Sequence, residues 1–156
     1  MTKVSMAAGI AAVLLALSGP AIGQQGALQT SMVGPSHSDS TQMSYARHLA
    51  GLINDYRKQH GLGPLVLVED LSAIATEHTA QMAEQRRLSH DGFRSRFAST
   101  RARICVENVG WNFPFPEAQL EGWRASPGHH RNLLEPKVAR MGVAASRSYV
   151  TFFACS

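Results

Sequence analysis

The sequence predicts a sheet covered by helices, and two hydrophobic periods predict it. Two segments carry apolar residues at helical spacing, and three show the alternation or apolar runs of strands. Helical and extended segments interleave loosely and no internal repeat appears, which suits a layered domain of mixed α and β structure.

The first helix is expected over about 43–59, where Tyr45, Leu49, Leu52, Ile53 and Tyr56 recur at helical spacing. Gly61-Leu62-Gly63-Pro64 ends it, and Leu65 and Leu67 then pack a short extended segment. Asp70 is the expected N-cap of a second helix over about 71–87. Its apolar stripe is Leu71, Ile74, Ala75, His78 and Met82, so His78 lies on the inner face. A lone His there is more often a hydrogen-bonded core residue than a ligand.

Ser89-His90-Asp91-Gly92-Phe93 reads as a turn, followed by a short helix over about 94–99. Ile104 to Trp111 reads as a strand with Cys105, Glu107, Val109 and Trp111 on one side. Alternation does not say which side is buried, but a Glu sharing a face with Cys and Trp needs a charge partner or a proton. Asn112 to Pro116 is a loop. Pro116 suits the first turn of a helix, with Glu117 near its positive end and Leu120 and Trp123 facing inward. Ser126 can cap a further short helix with Pro127 at its first position. Val138 to Ser146 and Tyr149 to Ala154 are two last strands, a hairpin around Arg147-Ser148.

The ends and the composition bound the compartment. Lys3 precedes the uncharged apolar run Met6 to Leu17. Gly19-Pro20 breaks that run, and Ala21-Ile22-Gly23 offers small residues for cleavage. This is the signal-peptide pattern, and the run is shorter than the roughly 20 residues a spanning anchor needs. Residues 1–23 are therefore expected to be a signal peptide, 24–42 a flexible polar leader and 43–156 one folded domain. No Cys lies near the cut, which disfavours a lipid anchor, and no second hydrophobic stretch follows. The exported chain is expected to be secreted or periplasmic and soluble, with no transmembrane segment.

Two cysteines, Cys105 and Cys155, fit a disulfide in an oxidising compartment, with two buried thiols as the alternative. A two-Cys metal site is disfavoured, because neither has a second Cys or a His at ligand spacing. The formal charge is +4 and the pI about 9.5. Arg86, Arg87, Arg94, Arg96, Arg101 and Arg103 concentrate that charge. Export argues against nucleic acid as the partner. Anionic lipid headgroups or cell-wall polymers could meet such a stripe, and a solvated charged face is the simpler reading.

Four residues are candidates for chemistry: His78, His90, Glu107 and His129. They form no tight metal motif, and their separations do not fix a geometry. His and Glu are nonetheless side chains that can share a proton near neutral pH or hold zinc. His129 and His130 are adjacent, so on a helix they point about 100° apart and serve different surroundings. Ser89 and Ser126 neighbour His residues, but sequence neighbours seldom face one another, and neither is assigned as a nucleophile.

The motifs in order resemble the CAP superfamily, the SCP-domain proteins that include cysteine-rich secretory proteins, antigen 5 and pathogenesis-related 1 proteins. The short bacterial branch is the most similar. The resemblance runs from about Leu49 to Phe153. It rests on Leu52-Ile53-Asn54-Asp55-Tyr56-Arg57, Leu88-Ser89-His90-Asp91-Gly92-Phe93, Glu107-Asn108-Val109-Gly110, Trp123-Arg124-Ala125-Ser126-Pro127-Gly128-His129, Arg131-Asn132-Leu133-Leu134 and Met141-Gly142-Val143. It implies an α+β fold, a three-layer α-β-α sandwich with a central antiparallel sheet. It also implies a ligand cleft lined by His90, Glu107, Asn108 and His129. Two departures stand out. The acid that follows the Trp in animal and plant relatives is missing after Trp123, and Val106 replaces the usual Gly before Glu107-Asn108. Two His and one Glu could still hold Zn²⁺ with a water, and His90 and His129 are the implied metal pair.

Two classes of function follow. One is a non-catalytic secreted binding module for a lipid or cell-envelope ligand, favoured by the missing acid and the absent nucleophile. The other is a metal-dependent hydrolase or peptidase using His90, Glu107 and His129. Polysaccharide recognition has only Trp111, Trp123 and the basic charge in its favour.

Overall fold

The computed structural model of the chain describes residues 36–156. The expected signal peptide and most of the expected leader lie outside the described residues. Helix α1 spans His37–Gln59 and begins earlier than the apolar period suggested. Ser36 and Asp39 form a capping box: the Ser36 hydroxyl accepts from the Asp39 N–H, and the Asp39 carboxylate accepts from the Ser36 N–H. This polar cap starts the helix ahead of the first buried residue, so residues 37–42, expected in the leader, are helical.

Strand β1 is only Val66–Leu67 and runs directly into helix α2, Glu69–Gln85. The N-cap of α2 is Val68, not Asp70, because the Val68 N–H is already committed to the Met141 carbonyl and its own carbonyl accepts from Ser72. Asp70 sits one residue inside the helix and stabilises its positive end. Leu65 is buried as expected, but Leu67 is exposed.

Helix α3 (Phe93–Ser99), strand β2 (Cys105–Trp111), helix α4 (Pro116–Ala125), helix α5 (Pro127–Leu133) and the hairpin strands β3 (Arg140–Ser146) and β4 (Tyr149–Cys155) complete the fold. The sheet order is β1-β3-β4-β2. The three long strands are antiparallel, and β1 adds a two-residue parallel edge to β3.

Alternation along the strands divides the molecule into three layers. Val150, Phe152 and Ala154 of β4 pack with Leu49, Ile53, Leu120, Trp123 and Leu133 from α1, α4 and α5. Phe153 and Cys155, one residue out of phase, pack with Leu71 and Ala75 of α2 and with Phe93 and Phe97 of α3. Gly142 lets α2 lie directly on β3, since a Cβ there would overlap the Leu71 backbone. The expected α-β-α sandwich is the observed architecture.

Two tethers fix the elements around the cleft described below. Arg57 of α1 is buried, and its guanidinium donates to the carbonyls of Gly63, Leu133 and Glu135, at 2.8–3.1 Å. Burial lowers its pKa, but three carbonyls surround the cation. Cys105 and Cys155 face one another across β2 and β4 and are joined by a disulfide. No described helix is long and apolar enough to cross a membrane.

Candidate functional site at the edge of strand β2

The site forms where β2, the outer edge of the sheet, meets α3 on one face and α5 on the other. Glu107 projects from β2 toward α3 and its side chain is only 2% exposed. The charge partner that burial requires is Arg96. Its Nε donates to Oε2 at 2.9 Å and its Nη2 to Oε1 at 2.8 Å, a two-point contact that fixes both side chains. A third donor, Nη1, reaches the Asp91 carbonyl at 2.7 Å and anchors the guanidinium to the turn that carries His90.

His90 lies on the solvent side of this pair, with its ring Nδ1 2.9 Å from Glu107 Oε1. The carboxylate accepts, so Nδ1 carries a proton, and Nε2 has no hydrogen-bond partner among the described residues. His78 packs behind the carboxylate. Its Nε2–H donates to the Ser89 carbonyl at 2.8 Å and lies 3.7 Å from Glu107 Oε1. Its Nδ1 is buried without a hydrogen-bond partner. Burial lowers the His78 pKa, and Glu107 opposes that shift. His78 is thus a hydrogen-bonded core residue that also borders the site.

The opposite face of β2 places His129. Asn108 is fully buried and donates to the His129 carbonyl at 3.0 Å. Asn132 of α5 donates to the Glu107 carbonyl at 3.0 Å and to Asn108 Oδ1 at 2.9 Å. The Trp123 indole donates to the Val109 carbonyl, also at 3.0 Å. These side chains occupy the unpaired edge of β2 and pin α4 and α5 against it, which protects the edge from pairing. The His129 and His90 ring centres stand 6.2 Å apart. Burial and the charge of His90 lower the His129 pKa. A cleft of about 340 Å³ lies against this edge, lined by His90, Phe93, Cys105, Val106, Glu107 and Asn132.

Of the four cleft residues expected from the sequence, His90 and Glu107 line the cavity, Asn108 is fully buried and holds the His129 carbonyl, and the His129 ring stands beside that of His90 without being among the lining residues. Arg96 is the residue that sequence reasoning missed, having been counted in the basic stripe. The signal was present: a Glu on a buried face needs a cation, and Arg96 precedes Glu107 by 11 positions. The stripe is correspondingly divided. Arg96 pairs with Glu107 and Arg87 with Asp91, whereas Arg86, Arg94, Arg101 and Arg103 are exposed. Trp123 is buried at 1%, which removes it as a sugar contact, while Trp111 is exposed. The Ser89 hydroxyl accepts from the Asp91 N–H, and the Ser126 hydroxyl makes no capping bond although Ser126 is the N-cap of α5.

The expected two-His, one-Glu zinc set does not fit this geometry. Both Glu107 oxygens accept from Arg96, and a fixed cation in that place repels a second one. Among the described residues, no three His, Cys, Asp or Glu side chains converge as a metal-binding group. Glu107 orients His90 and is not free to ligate.

Residues 50–156 match the family model described as CAP, the cysteine-rich secretory protein family. The chain belongs to that family. It is 28% identical over 119 residues to the uncharacterized membrane protein YlbC of Bacillus subtilis, covering 70% of this chain and 34% of that protein. It is 27% identical over 111 residues to YkwD of the same organism, covering 67% and 43%. The chain thus spans less than half the length of these curated relatives. Among solved structures, an extracellular SCP-domain protein of Bacillus anthracis superposes with a TM-score of 0.72 at 23% identity, covering 78% of this chain and 44% of the other. A cysteine-rich secretory protein of Staphylococcus aureus gives 0.67 at 24%, covering 73% and 38%. An outer surface protein of Borrelia burgdorferi gives 0.65 at 16%, covering 72% and 92%. These likenesses establish the fold.

Proposed function

We propose that this chain is an exported CAP module that binds a cell-envelope ligand in the β2-edge cleft without catalysing a reaction on it. The observation that carries this reading is the commitment of Glu107. Its oxygens are held by Arg96 and His90, so it serves as an anchor and not as a general base. Export rests on the signal-peptide pattern of residues 1–23, and the extracellular and surface descriptions of the structural neighbours favour it. The unpartnered Nε2 of His90, the His129 ring and the Asn132 side chain suit a polar ligand with hydroxyl or amide groups, and Phe93 gives it an apolar wall.

The test is cosedimentation of the untagged protein with isolated cell walls and, separately, with lipid vesicles. Cell-wall binding that is lost in His90→Ala/His129→Ala supports the reading. Equal binding by both proteins removes the cleft from it, and binding to vesicles alone moves the ligand class to lipid.

A second reading has one specific observation behind it. A carboxylate on Nδ1 with Nε2 open is also the arrangement of a histidine general base. Peptide hydrolysis that rises with protein concentration and disappears in His90→Ala would replace the binding reading with a hydrolase.

A further inference from the structure

The adjacent histidines of α5 serve two different clusters. His129 packs beside His90 and Trp123, whereas His130 faces the C-terminal end of α1. There its ring centre lies 6.3 Å from that of His60 and 6.0 Å from that of Tyr56. Tyr56 in turn packs edge-on to His60 at 4.4 Å. The His60 Nδ1 is 2.9 Å from the Tyr56 carbonyl. A carbonyl only accepts, so Nδ1 carries the proton and Nε2 keeps a lone pair. A ring N–H held by a backbone carbonyl is the outer-shell arrangement that fixes a metal-binding histidine.

From this we infer that His60 and His130 form a two-imidazole site for a borderline divalent ion such as Cu²⁺, Ni²⁺ or Zn²⁺, with water completing the coordination. Imidazole nitrogens suit these ions, and the ring cluster offers no acid to carboxylate-preferring ions such as Mg²⁺ and Ca²⁺. Two rings bound to one ion at about 2.0–2.1 Å have centres roughly 5–6 Å apart. The observed 6.3 Å is a small side-chain rotation from that spacing. His60 is exposed and His130 half-buried, so an ion reaches them from solvent. Arg124 stacks on Tyr56 at 4.7 Å, and its charge is met by Glu121 at 2.9 Å. The ion would join the end of α1 to α5, one residue from His129. Its binding does not depend on what the cleft holds.

The experiment is calorimetric titration of the untagged full chain with Cu²⁺, using His60→Ala, His130→Ala and the His90→Ala/His129→Ala double variant. Both single changes are expected to weaken binding by about tenfold or more, and the double variant to keep it. In parallel, substoichiometric Cu²⁺ should broaden the NMR ring signals of His60 and His130 before that of the exposed His48. This readout needs no variant to fold. Unchanged affinity in both single variants, loss only in the double variant, or first broadening at another histidine would overturn the assignment.

Discussion

His129 and His130 are neighbours in sequence, yet they face regions built on different principles. The His129 side centres on a buried carboxylate and the partly buried Arg96 guanidinium, with His90 held by Glu107. The His130 side is a cluster of rings that pack together, and His60 is held by a backbone carbonyl. The first region depends on charge balance inside the protein, and the second on packing at its surface. Removing one member should therefore be far more damaging in the first.

The largest effect is expected from Arg96→Met. It leaves Glu107 buried without its cation, and breaking a buried ion pair costs about 3–5 kcal/mol. Urea denaturation should show that loss, and Arg96→Met/Glu107→Leu should recover most of it, because a packed apolar pair avoids the uncompensated charge. His130→Ala should cost about 1 kcal/mol, since His130 is half-buried in ring contacts and leaves no buried charge behind. Equal losses at Arg96 and His130 would erase the contrast between the regions.

Reduction of the disulfide ranks next. It joins positions 50 apart, for which chain entropy gives about 4 kcal/mol as an upper figure. Cys105 also lines the cleft, so reduction should shift the NMR signals of His90 as well as lower the melting temperature. Melting that is unchanged by reductant would sink this prediction.

The smallest effect concerns pH. Burial lowers the pKa of His78 below its ordinary 6.5, so near that pH the unfolded chain binds a proton that the folded chain refuses. Stability should be full above pH 6.5 and should fall as pH drops below it, levelling once the folded imidazole is protonated. His78→Gln should flatten this slope by comparison with the parent chain. An equally steep fall in that variant would assign the slope to other groups, of which His129 is the nearest in kind.

Much of the fold was legible because one-sided apolar periods were strong. Leu49, Ile53 and Tyr56 marked α1, and the alternation through Cys105, Glu107 and Val109 marked β2. Pro116 and Pro127 marked the starts of α4 and α5, but the starts of α1 and α2 were not legible. At residue 37 a polar capping box works without apolar residues, and at residue 69 pairing of Val68 with Met141 overrides the Asp70 signal. The site residues were named through motif order, but their relations depend on tertiary contacts. Arg96 looked like any other arginine of the stripe until the fold placed it on Glu107. The divergence of His129 and His130 was readable, because 100° per residue separates adjacent side chains on a helix.

Glu107, itself held by Arg96, fixes His90 with Nδ1 protonated and Nε2 open to a ligand. Long-range ¹H–¹⁵N NMR of the His90 ring above pH 7.5 tests it directly. One dominant tautomer is expected, with the proton on Nδ1. A ring protonated mainly on Nε2, or averaging between tautomers, would overturn this geometry.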